Sequence, residues 1–177
     1  MTALLAYVDE SVRSGRYLLG AVIVDAHVAG RLRRSVRKLP LPGQRRLHFN
    51  NEGNRRRREL LDALTRLDVE AYVYSCRHSI EVTPEAARAR CFRALVRNVQ
   101  ARGVEAELLI ESRAELDAID GVTVGKARRP EPGLSFQHLR PDNDPLLWLP
   151  DGFAWAVGAG GDWRRRVGNS VTVVEVR

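Results

Sequence analysis

The chain opens on an apolar run that shows no alternation: "ALLAYV" would fill both faces of a strand before Asp9 and Glu10 end it. Runs that are apolar on both sides mark central strands covered from above and below. "RYLLGAVIVDA" (16–26) repeats the pattern. The polar "ESVRSG" between the two, with Ser14-Gly15, predicts a hairpin, so the first two strands are expected to be antiparallel neighbours. A helical spacing follows in Val28, Leu32, Val36 and Leu39, until Pro40 and Pro42 stop it. "RRLHFN" reads as a short extended piece. Leu60, Leu61, Leu64 and Leu67 then define the inner face of a second helix, with Asn54 as its expected N-cap and arginines in its first turn.

The second half continues in kind. "VEAYVYSC" (69–76) is β-branched and aromatic, a third strand. Thr83-Pro84-Glu85 and Gly103 bound a long helix with the stripe Ala87, Cys91, Leu95 and Val99. "AELLIESR" (106–113) predicts a fourth strand ending in Glu111, and "LSFQHLR" a fifth beyond the loop "ARRPEPG". "DPLLWLPDGFAWAVGAGG" reads as a helix interrupted near Pro150, with Asp151 near a helix N-terminus, and "SVTVVEVR" as an edge strand or a tail. This order predicts the α/β class with a mixed sheet. The long helix before the fourth strand is a sufficient crossover to set that strand parallel to the first. The 177 residues are expected to form one domain, 1–177.

Charge changes the picture more than composition does. Of the 29 basic residues only Lys38 and Lys126 are lysines. Between Ala26 and Arg66 stand 12 basic residues against three acids, a local net charge of +9 in a chain whose total is +7. The rest is therefore slightly acidic, and one basic region points to an anionic polymer as partner. No apolar run reaches the ~20 residues of a membrane span, and no export signal is evident, so a cytoplasmic protein with no membrane association is expected. Cys76 and Cys91 match no metal-ligand spacing and read as buried thiols.

The candidate chemistry is carboxylate. The first strand ends in Asp9, the fourth in Glu111, and the last helix begins at Asp151. If the two strands are parallel neighbours, their acids share the carboxyl edge of the sheet, where α/β proteins place their sites. Carboxylates one strand spacing apart raise each other's pKa unless a cation lies between them. Oxygen donors alone select Mg²⁺ or Mn²⁺, ions that stabilise charge growing on a phosphoryl group. Glu10 ranks second, since a regular strand would turn it to the opposite face.

"AYVDES", the strand "YLLGAVIV", the Leu-His pair in "RLHF", the acid in "LLIESR" and the Leu-x-Asp segment in "LLWLPDGFAWAV" together resemble an uncharacterised bacterial family of RNase H-like domains, domain of unknown function 3800. Its opening signature is Tyr-Ile/Val-Asp-Glu-Ser-Gly, and the resemblance runs from Ala6 to about Gly158. It implies a five-stranded sheet in the order 3-2-1-4-5 and a metal-dependent nuclease acting on RNA or DNA. Asp9 would be the central metal-bridging carboxylate, with Glu111 and Asp151 as the other ligands. His48 would shuttle a proton or touch phosphate. Arg45, Arg46 and Arg55 to Arg58 are the expected nucleic-acid contacts. Val12 departs from the family's glycine, and Pro150 from its small helical residue. The competing readings are a binding module that has lost catalysis and an ATP-using relative. The second lacks a Gly-rich phosphate turn after the first aspartate.

Overall fold

The centre of the molecule is the predicted hairpin. A computed structural model describes residues 3–13 and 15–177, so Ser14 of the predicted turn lies outside the described residues. Strands β1 (Leu4–Arg13) and β2 (Arg16–Asp25) pair antiparallel from Leu4 opposite Asp25 to Arg13 opposite Arg16. The strands thus run through Glu10 to Arg13, which the sequence pattern assigns to a connection. Gly15, at φ +69°, supplies the left-handed residue that so tight a reversal needs.

Helix α1 (Ala26–Val36) follows directly. A 3-10 turn (Phe49–Asn51), α2 (Asn54–Leu64), β3 (Glu70–Arg77), α3 (Pro84–Gln100) and β4 (Ala106–Glu111) come next. Then come α4 (Asp117–Ala127), β5 (Leu134–Leu139), α5 (Trp148–Ala159), α6 (Gly161–Val167) and β6 (Val171–Val176). The sheet runs β5-β4-β1-β2-β3-β6. The expected order of five strands holds, and β6 extends it by pairing parallel to β3. The α3 crossover brings β4 parallel to β1, in register from Leu4–Ala106 to Val8–Ile110.

Two corrections concern local structure. "RRLHFN" is irregular chain leading into the 3-10 turn, not a strand, and the N-cap of α2 is Gly53, while the Asn54 side chain accepts from Arg57. Thr83 does cap α3, accepting from the Ala86 N–H at 3.2 Å.

The two faces of the sheet bury separate cores. Tyr7, Leu18, Val22 and Leu109 pack under α1, α2 and α5 with Phe49, Leu61 and Phe153, whereas Ala6, Val8, Leu19 and Ile110 pack under α3 with Cys91, Phe92 and Leu95. With both faces covered, β1 must be apolar throughout, which explains the unalternating opening run. It also makes the charges at its end conspicuous.

Candidate active site

Asp9 lies on the α5 side of the sheet, two residues beyond Tyr7. It sits opposite Gly20 of β2, and one position past the last β1–β4 pair, Val8–Ile110, which puts Glu111 beside it on the same face. Gly20 is what lets α5 in. A Cβ there would stand 2.5 Å from the Pro150 carbonyl oxygen, so only glycine admits the first turn of α5 against β2. The next residue, Asp151, is thereby carried to Asp9 and Glu111. Its side chain accepts the Phe49 backbone N–H at 2.9 Å, tying the helix to the 3-10 turn that follows His48.

Asp9 and Asp151 are only 8% and 9% exposed. Burial pushes the Asp9 carboxyl well above the usual carboxylate range, and repulsion from Glu111 and Asp151 adds to it, while Arg113 and Arg46 pull the other way. Glu111 is raised by burial and by Asp151, against the opposing charges of Arg46, Arg113 and His48. Asp151 is raised by burial too, partly offset by the Phe49 N–H and by His48, Arg46 and Arg13. Three acids from three elements therefore face one another within a ring of cations. The nearest of those, Arg113, reaches Asp9 only at 3.9 Å.

Two of the cations that act on these acids keep unpartnered atoms. Nδ1 of His48 and Nε and Nη2 of Arg13 are buried without a hydrogen-bond partner. This environment fits a hard divalent ion, because the donors are oxygens and the buried negative charge lacks close neutralisation.

Glu10 goes elsewhere. It faces the α3 side, where Arg88 pairs with it, the Tyr17 hydroxyl donates to it, and Arg113 reaches it at 2.7 Å. Arg88 also holds both oxygens of Asp120, at 2.7 and 2.6 Å. The tightest cluster of metal-ligating side chains among the described residues lies on this side: Asp117, Asp120 and His138, with ligand atoms within 4.8 Å of one another. Its acids are already engaged, Asp120 by Arg88 and Asp117 by the Ser112 hydroxyl at 2.6 Å and the Arg113 N–H at 2.7 Å. Arg88 and Arg113 are the residues that sequence reasoning missed. The signal for Arg88 was a charge inside the apolar stripe of α3, next to Ala87 and one turn before Cys91 and Phe92.

The basic residues divide as well. Arg46 lies among the acids as an opposing charge, whereas Arg45 is exposed and lines a cleft with Arg37, Pro42 and Trp148. Arg55 is exposed and pairs with Glu59 at 3.1 Å. Arg56 donates to the Leu39 carbonyl, and Arg57 to the Phe49 and Asn50 carbonyls at 2.8 and 3.0 Å, which secures the turn beneath Asp151. Arg58 points outward over the Trp163 ring.

No protein-family profile and no curated protein sequence matches the chain. Solved structures do. The ribonuclease H2 of Pyrococcus horikoshii superposes with a TM-score of 0.61 at 13% identity, over 94% of this chain and 77% of that one. RNase HII of Archaeoglobus fulgidus, solved in complex with PCNA, superposes with a TM-score of 0.54 at 14% identity, over 93% and 74%. At such identities the likeness speaks for architecture, and the chain has the ribonuclease H-like fold.

Proposed function

We propose that this protein is a divalent-metal-dependent nuclease that hydrolyses phosphodiester bonds of RNA or DNA, the activity implied by its resemblance to the family of domain of unknown function 3800. The observation that carries the reading is that Asp9, Glu111 and Asp151, the first and last of them buried, lie on one side at the carboxyl edge of a ribonuclease H-like sheet and repel one another. These three would hold Mg²⁺ or Mn²⁺. When bound, such an ion polarises a phosphoryl oxygen and stabilises the charge that builds there.

The remaining work belongs to the chain's own side chains. Arg46 and Arg113, set against the acids, attract and orient the polyanion. His48, whose charge acts on Glu111 and Asp151 and whose Nδ1 has no partner, would take or return a proton at the reacting phosphate. The Gly20 contact and the Asp151–Phe49 hydrogen bond hold the third acid in place, so that little reorganisation remains for the reaction itself.

Cleavage of end-labelled RNA and DNA oligonucleotides in Mg²⁺ or Mn²⁺ tests this. Asp9→Asn keeps the size of the side chain and removes a charge the ion requires, and is expected to lower cleavage by about a thousandfold, roughly 4 kcal/mol of transition-state stabilisation. Thermal stabilisation by Mn²⁺ in the wild type should disappear in the variant. A wild type that binds nucleic acid, cuts neither polymer and gains no stability from either ion would instead be a binding module of the same fold.

A further inference from the structure

A second basic surface lies outside the segment that dominates the charge pattern. Helix α6 carries "GDWRRRV", and its Arg164, Arg165 and Arg166 follow Trp163 directly. It packs beside α2 and α5, and between α2 and α6 opens a cleft of about 650 Å³ lined by Arg58, Trp163, Arg165 and Arg166 together with Asp62 and Asp162.

The cleft is joined to the acids by an unbroken series of aromatic and guanidinium contacts. Asp151 receives the Phe49 N–H, and the Phe49 ring lies 6.1 Å from Trp155, one helical turn along α5. Arg57 sits 4.4 Å over Trp155 and Arg13 5.9 Å from it. Trp155 meets Trp163 edge to face at 5.1 Å, and Arg58 lies 5.4 Å over Trp163. With about 6 Å of helix rise between Asp151 and Trp155, the cleft is on the order of 15 Å from the acids, a span that takes a strand of at least a few nucleotides.

The pairing inside the cleft is loose. Arg165 pairs with Asp162 and Arg166 with Asp62, with acid side chains 91% and 42% exposed. Exposed pairs of this kind are worth about 0–1 kcal/mol, so a phosphate can take over their arginines at little cost. Arg58, braced by the Trp163 face, projects its remaining donors into the same space.

We propose that this α2–α6 cleft is a second backbone-binding subsite, which holds the phosphates of a nucleic-acid strand several nucleotides from the acidic site and selects extended strands over short oligonucleotides. The proposal rests on the nuclease reading for its orientation, but its test is a binding measurement in EDTA that needs no cleavage. Single strands of 4 and 24 nucleotides, RNA and DNA, would be titrated by fluorescence anisotropy over a range of salt.

For the 24-mer, Arg58→Gln/Arg165→Gln should weaken binding on the order of tenfold at low salt and reduce the salt slope by about 1.4, two single-strand phosphate contacts. The 4-mer, too short to engage the cleft and the basic residues around the acids together, should bind more weakly than the 24-mer and lose less, since it can occupy the other basic surface instead. Arg58→Lys/Arg165→Lys, which keeps the charge, should restore the slope. Both residues are exposed, and matching melting curves would confirm that the fold is intact. A 24-mer slope unchanged in the Gln pair, an equal loss for both lengths, or a wild type that binds neither strand overturns the subsite. An unchanged slope beside intact Mn²⁺-dependent cleavage would leave the nuclease reading standing. An Arg58-dependent slope in a protein that cuts nothing would do the reverse.

Discussion

Asp9 and Glu10 are consecutive residues of one strand, equally buried, and the fold treats them in opposite ways. On the α3 side, Glu10 meets Arg88, Arg113 and the Tyr17 hydroxyl, and Arg88 is itself spread over Asp120. Every acid there has a cation or a donor in contact. On the α5 side, Asp9 has its neighbour's backbone N–H at 2.7 Å and Arg113 at 3.9 Å, while the charges that act on it most strongly are two more acids. A buried carboxylate must be neutralised, paired or protonated. Where the chain supplies the cation, the acid belongs to the architecture. Where the cations stay at a distance and further acids are added, the arrangement supports the proposed metal site.

The largest way to break this comparison is to remove the cation from the paired side. Arg88→Met keeps the length of the side chain but leaves Glu10 and Asp120 buried without their partner, and should cost about 3–5 kcal/mol in urea unfolding. Asp9→Asn, on the other face, should cost nothing in the same metal-free measurement. Equal losses in the two variants would mean that both acids are structural.

An intermediate effect is expected from the contact that assembles the unpaired side. Gly20→Ala drives a methyl group into the Pro150 carbonyl, a backbone atom that can move only with α5. The cost should be about 1–3 kcal/mol of stability. The Asp151 carboxylate should also shift, visible as a weaker Mn²⁺-induced rise in melting temperature than in the wild type. A loss of stability with an undiminished response to Mn²⁺ would show that Asp151 does not depend on that contact.

Much of this was legible in the chain because strands buried on both faces are continuous in apolar residues, so the acids that end them stand out. Asp9, Glu111 and the parallel crossover between their strands follow from that alone, whereas Asp151 was read as opening the last helix, and its helix in fact starts at Trp148 and is followed by α6. Helix α4 was not legible: its Ile119 and Val122 face solvent at 50% and 56%, while it buries Asp120 along with Val124, which blurs the usual apolar stripe. Arg113 was equally silent, being one more arginine in an arginine-rich chain until the folded loop sets it between Asp9 and Glu10. Nor does a run of four arginines reveal that Arg56 and Arg57 are spent on backbone carbonyls while Arg58 faces the α6 cleft. Pairing between elements distant in sequence decided these roles, and no local period records it.

The smallest effect is the dependence of stability on pH, and it should differ in sign between the two sides. Asp9 is raised in the folded state by burial and by Glu111 and Asp151. Its contribution is therefore fully present below the ordinary carboxylate pKa of about 4 and is lost as pH rises through the higher folded value. Asp117 is the opposite case. Burial pushes it up, but the Ser112 hydroxyl and the Arg113 N–H outweigh that and leave it below its usual value, so its contribution is present above the unfolded pKa and lost as pH falls. In EDTA, then, Asp9→Asn should gain about 1 kcal/mol relative to wild type above neutral pH, and the gain should vanish toward pH 4. Asp117→Asn should lose stability at neutral pH and converge on wild type in acid. Adding Mn²⁺ should erase the advantage of Asp9→Asn by stabilising only the wild type, and should leave the Asp117→Asn difference untouched. An Asp9→Asn protein that is less stable than wild type at neutral pH in EDTA would place Asp9 with Glu10 among the structural acids, and the contrast between the two faces would fall with it.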